Sequence, residues 1–210
     1  MTAETPAQVA AARGIEEILH FTTEKGVLGA LQVGKLLSRK RVEGNPDLAF
    51  IFTGVWPRRD PEWLDHVSLS LTKINRDLYL KAVANLPELW WAILSFRAEI
   101  LDHPGVVFTT TNNVYEEVCD RAEGVAGLRE MFRDRVPWGH YGSVVHRQAS
   151  RPENEPTDRQ AEVLYPKWIP LDHLQRLYVP EEQHRSLVLA WCEVLDKPEP
   201  PIQVAPDLFT

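Results

Sequence analysis

Cysteine, long apolar runs and the common nucleotide-binding signatures are what this sequence lacks. Its 210 residues hold only two cysteines, Cys119 and Cys192. Two thiols make no disulfide framework, and a reducing cytoplasm suits them. No run approaches the roughly 18 apolar residues of a membrane span, so no membrane association is expected. Residues 1–8 carry Glu4 and no basic start before an apolar stretch, unlike a signal peptide. There is no Walker loop, no Gly-x-Gly-x-x-Gly turn and no Gly-x-Ser-x-Gly elbow. His140 and His146 share a loop without a third ligand, so no metal site is expected. Cys119 reads as a core residue on a helix face rather than a nucleophile.

What remains is 44% hydrophobic and 25% charged, enough for one globular domain over residues 1–210. The formal net charge of −7 argues against a large sequence-independent DNA binder, whose affinity comes from phosphate neutralisation. Much of the acidic excess lies in residues 181–207. The cations are clumped: Lys35, Arg39, Lys40 and Arg41; Arg58 and Arg59; Arg129, Arg133 and Arg135; His146, Arg147 and Arg151. Each clump taken alone reads as solvated surface.

Periodicity predicts a helix over residues 7–19, then a second one capped by Thr22 or Thr23 and ended by Gly34. A loop with Gly44, Asn45 and Pro46 follows, and residues 48–53 read as a strand or a short buried helix. The alternation of residues 67–71 predicts a half-buried strand, followed by a helix over 76–84. Residues 89–96 and 106–109 read as strands, and 113–135 as two helices broken near Gly124. Residues 138–158 form a long polar loop, a common place for function. A strand at 161–164, another at 177–179 and an amphipathic helix over 181–195 complete an α+β chain.

Three features carry chemistry. His20-Phe21-Thr22 precedes the capped helix that Gly34 closes. Arg58-Arg59 sits on a polar loop before the strand at 67–71. In Arg159-Gln160-Ala161-Glu162-Val163-Leu164, strand alternation would turn Gln160 and Glu162 to one face. A glutamate among Ala161, Val163 and Leu164 is costly unless partnered or used. On the residues alone, an edge-strand glutamate facing water is an equal reading.

Together these features resemble the DarT family of DNA ADP-ribosyltransferases, the toxins of toxin–antitoxin pairs. The match is carried by His20-Phe21-Thr22, Leu28, Gly34, Leu36 and Leu37, and by an arginine before Asp65-His66-Val67-Ser68-Leu69-Ser70. It continues through Val107-Phe108-Thr109-x-x-Asn112 to Arg159-Gln160-Ala161-Glu162-Val163-Leu164 and Ile169-Pro170, spanning roughly residues 17–179. The resemblance implies an ADP-ribosyltransferase fold, with two small sheets around an NAD⁺ cleft and helices on the flanks. It implies Glu162 as the catalytic carboxylate and Arg59, with Arg58 as its rival, as the cleft arginine. His20, Thr22 and Gly34 would hold NAD⁺, the substrate that donates ADP-ribose. Gln160 and Asn112 would lie on the acceptor side. Arg147 and Arg151, with Trp138 and Tyr141, are candidates for holding single-stranded DNA, because a base nitrogen is unreachable inside a stacked duplex.

The best-known branch carries an aromatic-rich segment where this chain has His66-Val67-Ser68-Leu69-Ser70-Leu71. That difference places guanine ahead of thymine as the acceptor. The resemblance also implies a macrodomain antitoxin of the DarG type as partner. The rival readings are transfer to RNA or protein, an NAD⁺ glycohydrolase, and a non-catalytic binding module that kept the fold.

Overall fold

The computed structural model describes residues 3–48, 61–139 and 141–210. In chain order its first half holds α1 (Pro6–Ala12), β1 (Ile18–Thr23), α2 (Glu24–Val33), β2 (Lys35–Leu37), α3 (Arg39–Glu43), β3 (His66–Leu71), α4 (Arg76–Asn85) and β4 (Trp91–Phe96). The second half holds β5 (Val107–Thr109), β6 (Arg121–Glu123), α5 (Gly124–Glu130), β7 (Arg135–Pro137), β8 (Val144–His146), β9 (Val163–Pro166), β10 (Trp168–Pro170), β11 (Leu174–Val179), α6 (Glu182–Leu195) and β12 (Ile202–Val204).

Eight strands hydrogen-bond in the order β12-β11-β4-β1-β3-β9-β5-β6, and two ribbons, β2–β10 and β7–β8, stand beside them. β3 divides the eight into halves. Its end pairs with β1 only at Ile18–Leu71 and Leu19–Ser70. Its beginning, from His66 to Leu69, pairs with β9 instead. Past Leu19, β1 therefore no longer pairs with β3, and the expected pair of small sheets takes shape as two halves joined at this strand.

The core follows from side-chain alternation. β4 is buried along its whole length. Ala92, Leu94 and Phe96 face the main core with Val67, Leu69 and Leu71 of β3. The opposite parity of β4 faces other neighbours. Ile93 packs with Leu19 and Tyr178, and Trp91 with Tyr79 of α4 and Phe21. A strand covered on both faces reads as a continuous bulky run, as residues 89–96 do.

Helix α2 begins and ends where the sequence places it. Thr23 is its N-cap, accepting from the Gly26 N–H, and Gly34 closes it at φ 71°. That left-handed conformation suits glycine, which has no Cβ to clash. The first helix is shorter than expected. Thr5 and Gln8 form a capping box, and the chain leaves the helix at Arg13. Gly14, at φ 70°, turns it away, so Ile18 and Leu19 belong to β1. The two helices expected over 113–135 are also corrected. Turns fill most of residues 112–120, β6 follows, and α5 is the helix there. β6 forms because Arg121, Ala122 and Glu123 pair with β5. The expected strand or helix at 48–53 lies almost wholly outside the described residues.

Candidate active site

Two side chains of β1 and one of β3 begin the site. His20 and Thr22 share a face of β1, opposite Leu19 and Phe21, because strand side chains alternate. The His20 Nδ1 lies 2.9 Å from the Ser68 carbonyl oxygen. A carbonyl can only accept, so Nδ1 carries the proton, and in the neutral ring the acceptor is Nε2. Thr22 reaches over the first turn of α2. A Cβ on Gly26 would overlap its Oγ1, so glycine at 26 makes room for the hydroxyl.

Ser68 is the junction. Its carbonyl receives His20 while its hydroxyl donates to Glu162 Oε1 in a short hydrogen bond. The other carboxylate oxygen, Oε2, accepts the Asn113 backbone N–H at 2.8 Å. The Glu162 backbone is fixed too. Its N–H donates to Thr109 Oγ1 at 2.9 Å, and its carbonyl accepts the Thr109 N–H at 2.9 Å. Glu162 is 9% exposed. A buried carboxylate with a donor on each oxygen is held in one orientation.

Four residues earlier in the chain, burial pushes the Asp158 carboxyl above the ordinary carboxylate range, against hydrogen bonds from Thr111 and the Gln160 backbone. The Cys119 thiol is also raised by burial, partly offset by the charge of Arg121. A buried, raised thiol is a poor nucleophile, in keeping with the core role expected of it, although it sits in a turn rather than on a helix.

Comparison with known proteins gives the family. The family model described as "ssDNA thymidine ADP-ribosyltransferase, DarT" matches residues 19–210. The chain belongs to the DarT family. Family membership makes it an NAD⁺-dependent ADP-ribosyltransferase of single-stranded DNA. Among solved structures, Thermus sp. 2.9 DarT in complex with NAD⁺ is 18% identical, with a TM-score of 0.64 over 93% of this chain and 98% of that one. The same Thermus protein in complex with ADP-ribosylated ssDNA gives a TM-score of 0.65 at 18% identity, covering 94% and 97%. Thermosipho africanus DarTG in complex with ADP-ribose gives 0.60 at 12% identity, covering 92% of this chain and 51% of that chain. At these identities the likeness establishes the fold. No curated protein sequence matches.

The DarT chain brings some of the expected residues together and disperses others. His20 and Glu162 meet at Ser68, and Thr22 shares the His20 face of β1. Gly34 ends α2 and its carbonyl accepts the Leu171 N–H at 3.1 Å. Gln160 and Glu162 both precede β9, so strand alternation does not set their directions. Gln160 sits in a turn whose N–H donates to Asp158 Oδ1 at 3.0 Å. It lines a cavity of about 980 Å³ with Trp138, His146, Arg151, Asp158 and Arg159.

Arg147 turns inward instead. It donates to the Glu155 and Pro152 carbonyls at 3.0 and 2.7 Å and lines a separate cavity with Arg13 and Phe132. Burial lowers its pKa, helped by the charges of Arg13 and Arg151. Asn112 spends its side chain on its own turn, accepting the Val114 N–H at 3.0 Å. The contact to Glu162 falls one residue later, at Asn113.

Arg58 and Arg59 lie outside the described residues. The basic clumps largely resolve into local pairs, such as Arg41 with Asp65 at 2.8 Å, Arg39 with Glu43 and Arg133 with Asp120. Sequence reasoning missed Ser68, Thr109 and Asn113. Ser68 stands within the quoted Asp65–Ser70 match and on the polar face of β3, and that alternation was the available signal.

Proposed function

We propose that Glu162 is the catalytic carboxylate of DNA ADP-ribosylation, with His20 and Thr22 holding the donor. The observation that carries this reading is the buried Glu162 with a donor on each oxygen. NAD⁺ supplies an anomeric carbon that gains positive charge as nicotinamide departs. A fixed, ionised carboxylate stabilises that charge more in the transition state than in bound substrate. His20, pinned through Nδ1, turns Nε2 into a positioned acceptor for a ribose hydroxyl. Arg59, with Arg58 as the alternative, is assigned to the donor's pyrophosphate.

The acceptor enters from the Gln160 side. The cavity lined by Gln160, Trp138 and Arg151 offers an amide, an indole and a cation to one extended strand. Aromatic stacking with a cation nearby is how single-stranded nucleic acids are held. Guanine is proposed as the base, because Ser68 and its β3 neighbours replace the aromatic segment of the best-known branch. The matching family description names thymidine, and experiment decides between the two.

A toxin role in the cytoplasm follows from the same reading, with a macrodomain antitoxin of the DarG type as partner. It is supported by the Thermosipho DarTG chain, of which this fold covers only 51%. No described helix is long and apolar enough to cross a membrane.

The test uses labelled NAD⁺ with four single-stranded oligonucleotides, each lacking one base, and Glu162→Ala as control. Label absent from the guanine-free strand alone supports the full reading, and label absent from the thymine-free strand alone moves the base. NAD⁺ consumed with no labelled DNA moves the acceptor to RNA, protein or water. A fully active Glu162→Ala removes Glu162 from the chemistry.

A further inference from the structure

The turn that presents the Asn113 N–H to Glu162 has little regular structure of its own. Residues 110–120 leave β5 and return to β6, closed by Thr110 N–H to Asp120 O at 3.1 Å and Cys119 N–H to Tyr115 O at 2.9 Å. A turn without regular pairing needs donors for its carbonyls, and one side chain meets two of them, Asn113 O and Cys119 O. Arg121 Nη1 donates to Cys119 O at 3.0 Å, and Nη2 donates to Asn113 O at 2.8 Å. Its Nε donates to Asn113 Oδ1 at 2.6 Å. Asn113 is therefore gripped by its carbonyl and its amide at once, and it is 1% exposed. Arg121 is itself paired opposite Thr109, the residue that holds the Glu162 backbone. Its guanidinium also lies 5.7 Å from the Trp63 ring.

We infer that Arg121 is a positioning residue for the transfer reaction: it grips Asn113 by two acceptors so that the Asn113 N–H stays on Glu162 Oε2. Arg121 touches neither donor nor acceptor in this role. A planar fork with several donors suits it, and a lysine offers one compact charge in its place. The inference rests on Glu162 being the catalytic carboxylate. Loss of the grip lets the 110–120 turn relax, and Glu162 loses the Asn113 donor. Its carboxylate is then less fixed, and a donor to its charged form has gone.

The experiment measures kcat, KM for NAD⁺ and the pH profile of kcat for wild type, Arg121→Ala, Arg121→Lys and Glu162→Gln, with thermal melts of each. Arg121→Ala is expected to keep KM within about twofold, lose at least about tenfold in kcat, and move the acid limb of kcat to higher pH. Arg121→Lys is expected to recover part of kcat. A folded Arg121→Ala with wild-type kcat and an unmoved acid limb overturns the inference. So does a lower melting point with KM and kcat changing together and the limb unmoved, which makes Arg121 a fold residue only. If Arg121→Ala does not fold, Arg121→Lys decides by the same two readouts. An active Glu162→Gln brings down the catalytic reading and this inference with it. An inactive Glu162→Gln beside an unaffected Arg121→Ala brings down this inference alone.

Discussion

At the scale of single residues, Ser68 ties the two halves of the site together. Its backbone sets the His20 tautomer and its hydroxyl sets one oxygen of Glu162. Removing the hydroxyl leaves the backbone bond to His20 intact, so Ser68→Ala separates the two functions. A hydrogen bond to a charged group contributes about 1.5–3 kcal/mol. If that bond is made in the transition state, kcat falls by roughly ten- to hundredfold while NAD⁺ binding stays unchanged. Steady-state kinetics with calorimetric NAD⁺ titration checks this, and a weakened NAD⁺ affinity would place Ser68 in donor binding instead. The Gln160–Glu162 block stands out in the sequence because polar residues amid apolar ones need a reason. Asn113 does not, because it acts through a backbone N–H that any residue except proline carries.

At the scale of elements, part of the expected long loop gained structure: β8 lies within it and pairs with β7, just before it, as a ribbon. Its register runs from Arg135–His146 to Pro137–Val144, and the Trp138 N–H donates to Ser143 O at 2.9 Å to close the tip. Gly139, Tyr141 and Gly142 all take positive φ, at 61°, 62° and 71°. For tyrosine that backbone is strained by about 1 kcal/mol or more. The ring it carries is fully exposed, at 102%. An exposed aromatic on a strained tip suits stacking against a base. Base–aromatic stacking contributes about 1–3 kcal/mol, so Tyr141→Ala is expected to raise KM for single-stranded DNA roughly tenfold or more. NAD⁺ hydrolysis without DNA should not change. Tyr141→Gly should lose the same DNA affinity while raising the melting temperature, because glycine takes this φ without strain. Unaltered DNA kinetics in both variants would make the tip mere surface. The ribbon was not legible beforehand, since its strands are three residues each and only their mutual pairing distinguishes them from loop.

At the scale of the whole molecule, stability should depend on pH through groups other than Glu162. Burial, with the charge of His173, holds His103 below its ordinary value of 6.5. The folded state then binds fewer protons than the unfolded chain. The stability is present above about pH 6.5 and is lost as pH falls through the native value. Asp158 acts with the opposite sign. Its raised carboxyl favours the fold at pH below the ordinary aspartate value, and that contribution is lost as pH rises through the native one. Melting temperatures between pH 7.5 and 5.5 should fall for wild type and fall less for His103→Gln. That variant keeps a polar group beside the Tyr165 hydroxyl, which lies 2.6 Å from His103 Nδ1. An identical fall in both proteins would exclude His103 as the source.

The sequence by itself determined the α+β class, a start for α2 at Thr22 or Thr23 and its end at Gly34, and the alternation of β3, while the family resemblance singled out Glu162 and His20. The first three are local quantities: a cap, a left-handed glycine, a period of two. Only the tertiary structure decided that Ile18 and Leu19 are strand, because pairing with β4 across residues 18–23 outweighs a helical pattern that Gly14 had already broken. It also decided that Arg147 braces the loop rather than reaching the cavity beside Gln160, and that Ser68 and Asn113 both donate to Glu162. Those facts depend on which strands lie side by side. Residues 68, 113 and 162 meet through pairings far apart in the chain, and no local pattern records which distant donor a carboxylate will find.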